Sequence, residues 1–149
     1  MSTRAAAYIR DEVFVLEAHI DHLTGEELGH ALDRIMEDGA LDVLWLPGFM
    51  KKGRPGGLLR VMCLPERLEA VQASVFRHTH SLGLRTARVE RVTLPREAAA
   101  AKVDGETLAA KTYRVDGVPY VRPEYEALAA LARNRGTGIV GLRLKAEQP

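Results

Sequence analysis

The stretch Phe49-Met-Lys-Lys-Gly-Arg-Pro-Gly-Gly-Leu-Leu59 joins two apolar runs, residues 41–47 and 58–64. Glycine and proline are typical of turns, so the stretch predicts a loop between two strands. This loop carries three cations, Lys51, Lys52 and Arg54. Glycines let backbone N–H groups approach oxygen atoms closely, and a guanidinium fork fits a phosphate or carboxylate. The loop is therefore a candidate anion site, the alternative being an ordinary basic surface hairpin.

The segment before this loop predicts a strand with two different faces. Residues 13–21 are rich in β-forming residues and end in alternation, so successive side chains point to opposite sides. The face predicted to lie in the core contains Phe14, Leu16, Ala18 and Ile20. The other face contains Glu17, His19 and Asp21. Such a polar row can hold a divalent cation or a polar ligand, the alternative being a solvated strand face.

The order of the predicted elements indicates a ferredoxin-like fold. Thr24 and Glu27 have the spacing of a capping box, which predicts a helix over residues 26–38 with an anion-favouring N-terminus. Strands over 40–47 and 57–64, a helix over 65–80 and a strand over 84–94 complete the split βαβ arrangement. One sheet face would remain free for a ligand or a subunit. The strand around Trp45 is apolar on both sides, which indicates cover by another subunit or by the C-terminal region.

The last third of the chain predicts a separate small subdomain. Strands over 98–103, 108–115 and 118–121 are joined by the turn pairs Asp104-Gly105 and Asp116-Gly117. A helix follows over 123–135, and residues 138–145 fit a short strand or a helix. The predicted class is α+β, a ferredoxin-like split βαβ sandwich over residues 12–96 followed by a C-terminal α+β subdomain over 97–149. Residues 1–11 are predicted to be a disordered leader.

Composition limits the classes of function. The 21 basic and 20 acidic residues give a formal charge of +1, so the chain lacks the basic excess of a nucleic-acid binder. The single cysteine, Cys63, excludes an internal disulfide and lies in an apolar strand pattern typical of a buried thiol. No apolar run approaches the roughly 20 residues that span a bilayer, and no secretory signal is present. We therefore expect a soluble, cytoplasmic protein without a membrane partner.

Five motifs occur together in an order that resembles a known family. They are Glu17-Ala-His-Ile-Asp-His-Leu-Thr-Gly-Glu26, Met50-Lys-Lys-Gly-Arg-Pro-Gly56, Gly83-Leu-Arg85, Leu94-Pro-Arg96 and Pro123-Glu-Tyr125. In this order they resemble the C-terminal region of the nickel insertion protein LarC family. The resemblance implies CTP-dependent insertion of nickel into pyridinium bis-thiocarboxylic acid mononucleotide, with Mg²⁺ or Mn²⁺ as the divalent metal. It also implies that this region binds CTP and forms a trimer-based homo-oligomer.

The resemblance implies a role for each matching residue. Asp21 would bind the metal that bridges the triphosphate. The polar row on the strand, and not the resemblance, gives Glu17 as the second candidate metal ligand. The cations that would neutralise phosphate oxygens are Lys51, Lys52 and Arg54, with Arg85, Arg96 and Thr24 as further nucleotide contacts. Several positions depart from the family pattern. His19 stands where asparagine is usual, His22 where a second aspartate is usual, and Gly53 where asparagine is usual. The segment that is threonine-rich in the family reads Arg77-His-Thr-His-Ser81.

Three alternatives remain at the level of sequence. The N-terminal region of a full-length family member is not part of this sequence, so the chain could be a non-catalytic nucleotide-binding or assembly subunit that acts with a separate N-terminal chain. If it is an enzyme, the expected reaction is nickel chelation coupled to CTP hydrolysis to CMP and pyrophosphate. A transition-metal site is a second alternative, formed by His19, His22, His78 and His80. RNA binding by the loop is the third, although aromatic residues make up only 5% of the chain.

Overall fold

A computed structural model describes residues 8–146, and the chain divides into two compact units. The first unit is Arg10–Arg91, and the second contains the described residues outside that range. No helix in the described part of the chain is both long and apolar enough to cross a bilayer.

The first unit has the predicted ferredoxin-like order of elements. These are β1 (Ile9–Ile20), α1 (Gly25–Glu37), β2 (Asp42–Phe49), β3 (Pro55–Cys63), α2 (Leu68–Thr79) and β4 (Arg85–Thr93). The four strands form one sheet in the order β2-β3-β1-β4, which is the arrangement of two interleaved split βαβ units. Short 3₁₀ turns cover Lys51–Gly53 in the basic loop and Pro65–Arg67 before α2. The fold class predicted from the sequence is confirmed.

One face of this sheet packs against the two helices and forms the first core. Its fully buried members are Leu16, Ala18, Ile20, Ile35, Leu59, Val61, Cys63, Val71 and Val75. Burying an aliphatic side chain of this size is worth about 1.5–3 kcal/mol. The alternation predicted for β1 is correct from Leu16 onward, because Leu16, Ala18 and Ile20 are buried on the helix side. Phe14, also predicted to lie in the core, is half-buried and packs against it.

β1 begins earlier than the sequence predicted. Of the predicted leader, residues 1–7 lie outside the described residues, but Ile9–Asp11 belong to β1, so the prediction of a leader was wrong there. Ion pairs to the neighbouring strand account for the difference. Arg10 pairs with Glu90 at 2.6 Å, Asp11 pairs with Arg91 at 2.5 Å, and Glu12 also pairs with β4. These partners are 76 to 80 residues away in the sequence, so the local pattern did not reveal the strand.

The second unit is a three-stranded sheet packed against two helices. The elements are β5 (Glu97–Val103), β6 (Glu106–Val115), β7 (Val118–Pro123), α3 (Tyr125–Arg135) and α4 (Ile139–Ala146). The sheet is antiparallel in the order β5-β6-β7, and both Asp-Gly turns have two residues with positive φ, as predicted for tight hairpins. The segment that fitted either a strand or a helix is helix α4. The core of this unit contains Val103, Leu108, Leu128, Leu131, Ala132 and Leu142.

Candidate functional site

The candidate site lies on the face of the first sheet that is opposite to its helices. Register determines which side chains share this face, because Glu17 of β1 stands directly across from Arg60 of β3. Arg60 donates to one oxygen of Glu17 from Nε at 2.9 Å and from Nη2 at 2.6 Å. Arg85 of β4 lies 3.8 Å from the second oxygen of Glu17. A carboxylate on the central strand is therefore held by a cation on each side.

His19 extends this polar row along β1. Arg85 Nη2 lies 3.3 Å from His19 Nε2. A guanidinium can only donate in such a contact, so the imidazole nitrogen is the acceptor side of the pair. Arg85 is thus shared between Glu17 and His19. It is also more than half exposed, so it remains accessible to a ligand.

Asp21 lies at the end of this row, next to the basic loop. Arg54 Nη1 is 3.3 Å from Asp21 Oδ2, although the two residues are separated by 33 positions in the chain. The side chain of Asp21 is 22% exposed and that of Arg54 is 57% exposed. His22 Nδ1 lies 3.7 Å from the other oxygen of Asp21, while its Nε2 donates to the backbone carbonyl of Thr79 at 2.6 Å. The structure therefore brings together the carboxylate and the guanidinium that the sequence predicted to share a site.

Gly56 explains why the loop lies so close to Asp21. A Cβ at this position would clash with the carbonyl oxygen of Ile20 and would lie 3.1 Å from the Cα of Asp21. Only a residue without a side chain allows β3 to approach the end of β1 in this way. The loop is closed by a hydrogen bond from the Met50 N–H to the Arg54 carbonyl at 2.8 Å.

The two lysines of the loop are both exposed to solvent but differ in backbone conformation. Both Lys51 and Lys52 are exposed, and Lys52 has a φ of 64°, which is uncommon for a residue with a side chain. Among residues 8–146, neither lysine has a carboxylate within salt-bridge distance. Their positive charge is therefore available to an anion from solution.

Two further predicted nucleotide contacts, Thr24 and Arg96, stay predictions, and the structure shows other bonding partners or neighbours for them. The hydroxyl of Thr24 accepts from the Glu27 N–H at 3.3 Å, and the Glu27 carboxylate accepts from the Thr24 N–H at 2.8 Å, so these residues form the predicted capping box. The pKa of the Glu27 carboxyl is lowered, chiefly by the backbone N–H of Thr24. Arg96 belongs to the second unit, where it lines a different pocket.

The described residues do not form a metal centre by themselves. In the range that the structure describes, no three residues among His, Cys, Asp and Glu are grouped so that they could hold a metal ion. The alternative of a four-histidine site is therefore wrong for these residues. Glu17 and Asp21 lie at positions i and i+4 of an extended strand, which separates them by about 13 Å. One cation could not contact both carboxylates. Of the two, Asp21 lies next to the basic loop and is the candidate metal ligand.

Sequence reasoning missed Arg60, which holds Glu17 in place. The available signal was a single cation in the otherwise apolar run 58–64. Without the register between β1 and β3, that signal did not identify Glu17 as its partner. Cys63, in contrast, is buried as predicted, and burial raises the pKa of its thiol.

Comparison with known sequences gives consistent matches. A family model described as nickel insertion protein matches residues 1–141. A protein of Alkaliphilus metalliredigens named pyridinium-3,5-bisthiocarboxylic acid mononucleotide nickel insertion protein is 34% identical over 127 residues, 85% of this chain and 30% of its own length. A putative nickel insertion protein of Geobacter metallireducens is 38% identical over 136 residues, 91% of this chain and 35% of its own length. The chain thus spans about a third of the length of these curated relatives.

Solved structures match over nearly the whole chain. The apo C-terminal domain of a cyclometallase involved in the synthesis of the NPN cofactor of lactate racemase aligns with a TM-score of 0.84 and 25% identity. The alignment covers 93% of this chain and 96% of that domain. A Methanopyrus kandleri protein, with a TM-score of 0.62 and 18% identity, shares the fold.

Proposed function

The chain belongs to the nickel insertion protein family, and from this premise we propose that it binds CTP with Mg²⁺ or Mn²⁺ and supports CTP-dependent nickel insertion into a pyridinium mononucleotide. The observation that carries this proposal is the contact between Asp21 and Arg54, which joins the end of β1 to the basic loop. In this proposal nickel is cargo that is inserted, and CTP is consumed.

The charge arrangement suits a polyphosphate. Lys51, Lys52 and Arg54 place three positive charges on one loop of five residues, and only Arg54 is paired with a carboxylate among the described residues. A triphosphate carries several negative charges, and fixed cations stabilise it without a cost of reorganisation. Arg85 would add a fourth cation on the same unit, and the hydroxyl of Thr24 keeps a proton that can be donated to phosphate.

The donor set at Asp21 fits a hard divalent cation that arrives with the nucleotide. Mg²⁺ and Mn²⁺ prefer carboxylate, phosphate and water oxygens, and Mg²⁺ is commonly bound through one or two carboxylates plus substrate phosphates. Asp21 supplies one such carboxylate, and the triphosphate would supply further ligands. When bound, the metal would neutralise charge on the phosphate oxygens.

We also propose that the cytoplasmic chain assembles as a trimer-based homo-oligomer. The helix-free face of the first sheet exposes Leu44 and Leu46 by 43% and 40%, next to half-buried Leu58 and Met62. Contiguous apolar patches of this kind mark interaction surfaces. The region that the longer relatives have in addition would act together with this chain, either in one polypeptide or as a separate chain.

A thermal-shift series tests the nucleotide site. The chain is heated with CTP, UTP, ATP or GTP in the presence of MgCl₂ or MnCl₂. We expect metal-dependent stabilisation that is largest for CTP, about 2.7 kcal/mol at a concentration 100 times the Kd. The double variant Lys51→Ala with Arg54→Ala should lose this stabilisation and still unfold cooperatively, because both side chains are exposed.

Arg34→Gln is the matched control, since it removes one exposed arginine from α1, away from the loop. It should keep the full response to CTP. An undiminished response in the Lys51/Arg54 variant would remove the loop from the site. Release of CMP by the stabilised complex would support turnover, whereas stabilisation without CMP would support the binding subunit.

A further inference from the structure

The second unit contains a cationic and aromatic pocket that the nucleotide site does not use. Leu108 and Ala110 of β6 point to the core formed with α3 and α4. By alternation, Lys111 and Tyr113 point to the opposite face of the same sheet. Arg122 of β7 lies on this face as well, beside Tyr113.

The register places like charges directly opposite one another. Lys111 of β6 pairs with Arg122 of β7, an arrangement that destabilises a sheet because the two cations repel. The next pair on this face is Tyr113 with Tyr120, whose rings stack at 5.7 Å with an angle of 20°. Arg122 lies 5.4 Å from the Tyr113 ring centroid and donates to its hydroxyl at 3.2 Å. The side chains therefore form a basic pair beside an aromatic pair.

Arg96 adds a third cation to the same concavity. Two adjoining cavities of about 250 and 370 Å³ share Arg96, Tyr113 and Arg122 in their linings. In the part of the chain that the structure describes, Arg96 has no carboxylate within salt-bridge distance, and Lys111 has only Glu124, at 3.6 Å. The start of α3 also lines the pocket, and its N-cap residue makes no side-chain capping bond. Unpaired cations and uncapped N–H groups thus converge on one small space.

We propose that this pocket binds an aromatic mononucleotide, with its phosphate at Arg96, Lys111 and Arg122 and its ring against Tyr113. The charge supports a single phosphate rather than a triphosphate. Three cations are partly offset by Glu124 and Glu126, which also line the pocket and would repel a longer anionic chain. A base or pyridinium ring can stack on tyrosine, and the cation that already lies by the Tyr113 ring adds to the attraction. The choice of a mononucleotide rests on the proposed function, in which a pyridinium mononucleotide accepts nickel, but the pocket is formed by other residues than the basic loop and does not depend on CTP binding there.

Nicotinic acid mononucleotide is a suitable probe, because it combines a pyridinium ring, a carboxylate and one phosphate. We would titrate the full chain with it by calorimetry and follow backbone amide signals by NMR. Signals of residues 111–113 and 120–126 should shift. The corresponding riboside, which lacks phosphate, should bind at least tenfold more weakly, and inorganic phosphate should also bind more weakly because it lacks a ring.

The variants separate this site from the loop. Lys111→Gln with Arg122→Gln should weaken mononucleotide binding at least tenfold and change the melting temperature little, because relief of the like-charge repulsion offsets the loss of the exposed Lys111–Glu124 pair and of the Arg122 contact with Tyr113. Tyr113→Leu should weaken binding of the mononucleotide but not of inorganic phosphate. Arg114→Gln is the matched control on the other face of β6, where Arg114 donates to the Gly117 carbonyl, and it should bind normally. The Lys51→Ala with Arg54→Ala variant should also bind normally, whether or not the loop binds CTP.

Three results would overturn the proposal. The first is unchanged affinity in the Lys111/Arg122 variant. The second is equal affinity for inorganic phosphate and for the mononucleotide, which would mean that the ring is not recognised. The third is much tighter binding of a short pyrimidine oligonucleotide through the same residues, which would assign the face to nucleic acid.

Discussion

Gly56 controls how closely the basic loop approaches Asp21. An added methyl would clash with the Ile20 carbonyl and press on Met50, whose Sδ would be 3.0 Å away. Backbone must move to relieve the clash, so Gly56→Ala should lower the free energy of unfolding by about 1–3 kcal/mol. It should also weaken the CTP-dependent stabilisation, because the loop would shift away from the carboxylate. Chemical denaturation and the nucleotide thermal shift measure the two effects.

Gly48 is the matched control for this substitution. It stands directly opposite Gly56 in the β2–β3 register, but a Cβ there would have no atom within 4 Å. Gly48→Ala should therefore change stability and the CTP response little. Equal losses in both variants would mean that the effect comes from strand entropy and not from the approach to Asp21.

The charged residues of the site could be selected from the sequence, but some of their ion-pair partners could not. Lys51, Lys52, Arg54 and Asp21 could be selected from the sequence because charge and glycine stand out in an apolar background. The pairing of Glu17 with Arg60 could not be selected, because it depends on the register of two strands separated by 43 positions. The like-charge pair of Lys111 and Arg122 escaped notice for the same reason.

Among the elements, α1 illustrates what local sequence determines. Its start at Gly25 follows from the capping box of Thr24 and Glu27, which requires contacts within four residues. β1 shows the opposite case, because its first residues are held by arginines of β4 far along the chain. α4 also depends on packing, since Leu142 is buried in the second core. Local bonds and alternation identified most elements, whereas the start of β1 and the helical state of α4 depend on distant partners and were not identified from the sequence.

The capping box predicts a specific pH dependence for α1. The folded-state pKa of Glu27 is lowered by the N–H of Thr24, so this carboxylate stabilises the fold above its ordinary pKa of 4.5. The stabilisation is lost as the pH falls from 4.5 through the lower folded-state pKa. Glu27→Ala should therefore destabilise the protein at pH 7, and the difference from the parent should shrink below pH 4.5. Urea denaturation across this pH range measures it.

Glu26→Ala is the control for this experiment. Glu26 is also an acidic residue of the first turn of α1, so it shares the interaction with the helix dipole but not the capping bonds. It should destabilise the protein less than Glu27→Ala at pH 7. A difference that persists unchanged at low pH for Glu27→Ala would contradict the assignment.

At the scale of the whole molecule, the first sheet has an unpaired edge and an exposed apolar face, and an assembly could cover both. β2 is an edge strand, so one side of its backbone has no neighbour in the sheet. The face of the sheet away from the helices exposes Leu44 and Leu46, and Phe49 at the end of β2 is 85% exposed. The sequence predicted an apolar strand that is covered by another subunit or by the C-terminal region. Of these two, a further copy of the chain is the cover that we propose for this face.

Replacing the exposed leucines tests whether copies associate through this face. Leu44→Asp with Leu46→Asp should shift the mass in light scattering from a multiple of 16.4 kDa to 16.4 kDa, because burying two carboxylates in an apolar contact is unfavourable. Helix content should be unchanged, since both side chains point away from the first core. Leu82→Asp is the control, because Leu82 is fully exposed in the segment before β4 and should not affect the mass. If the double variant keeps the parent mass, association occurs through another surface, and the apolar face has a different partner.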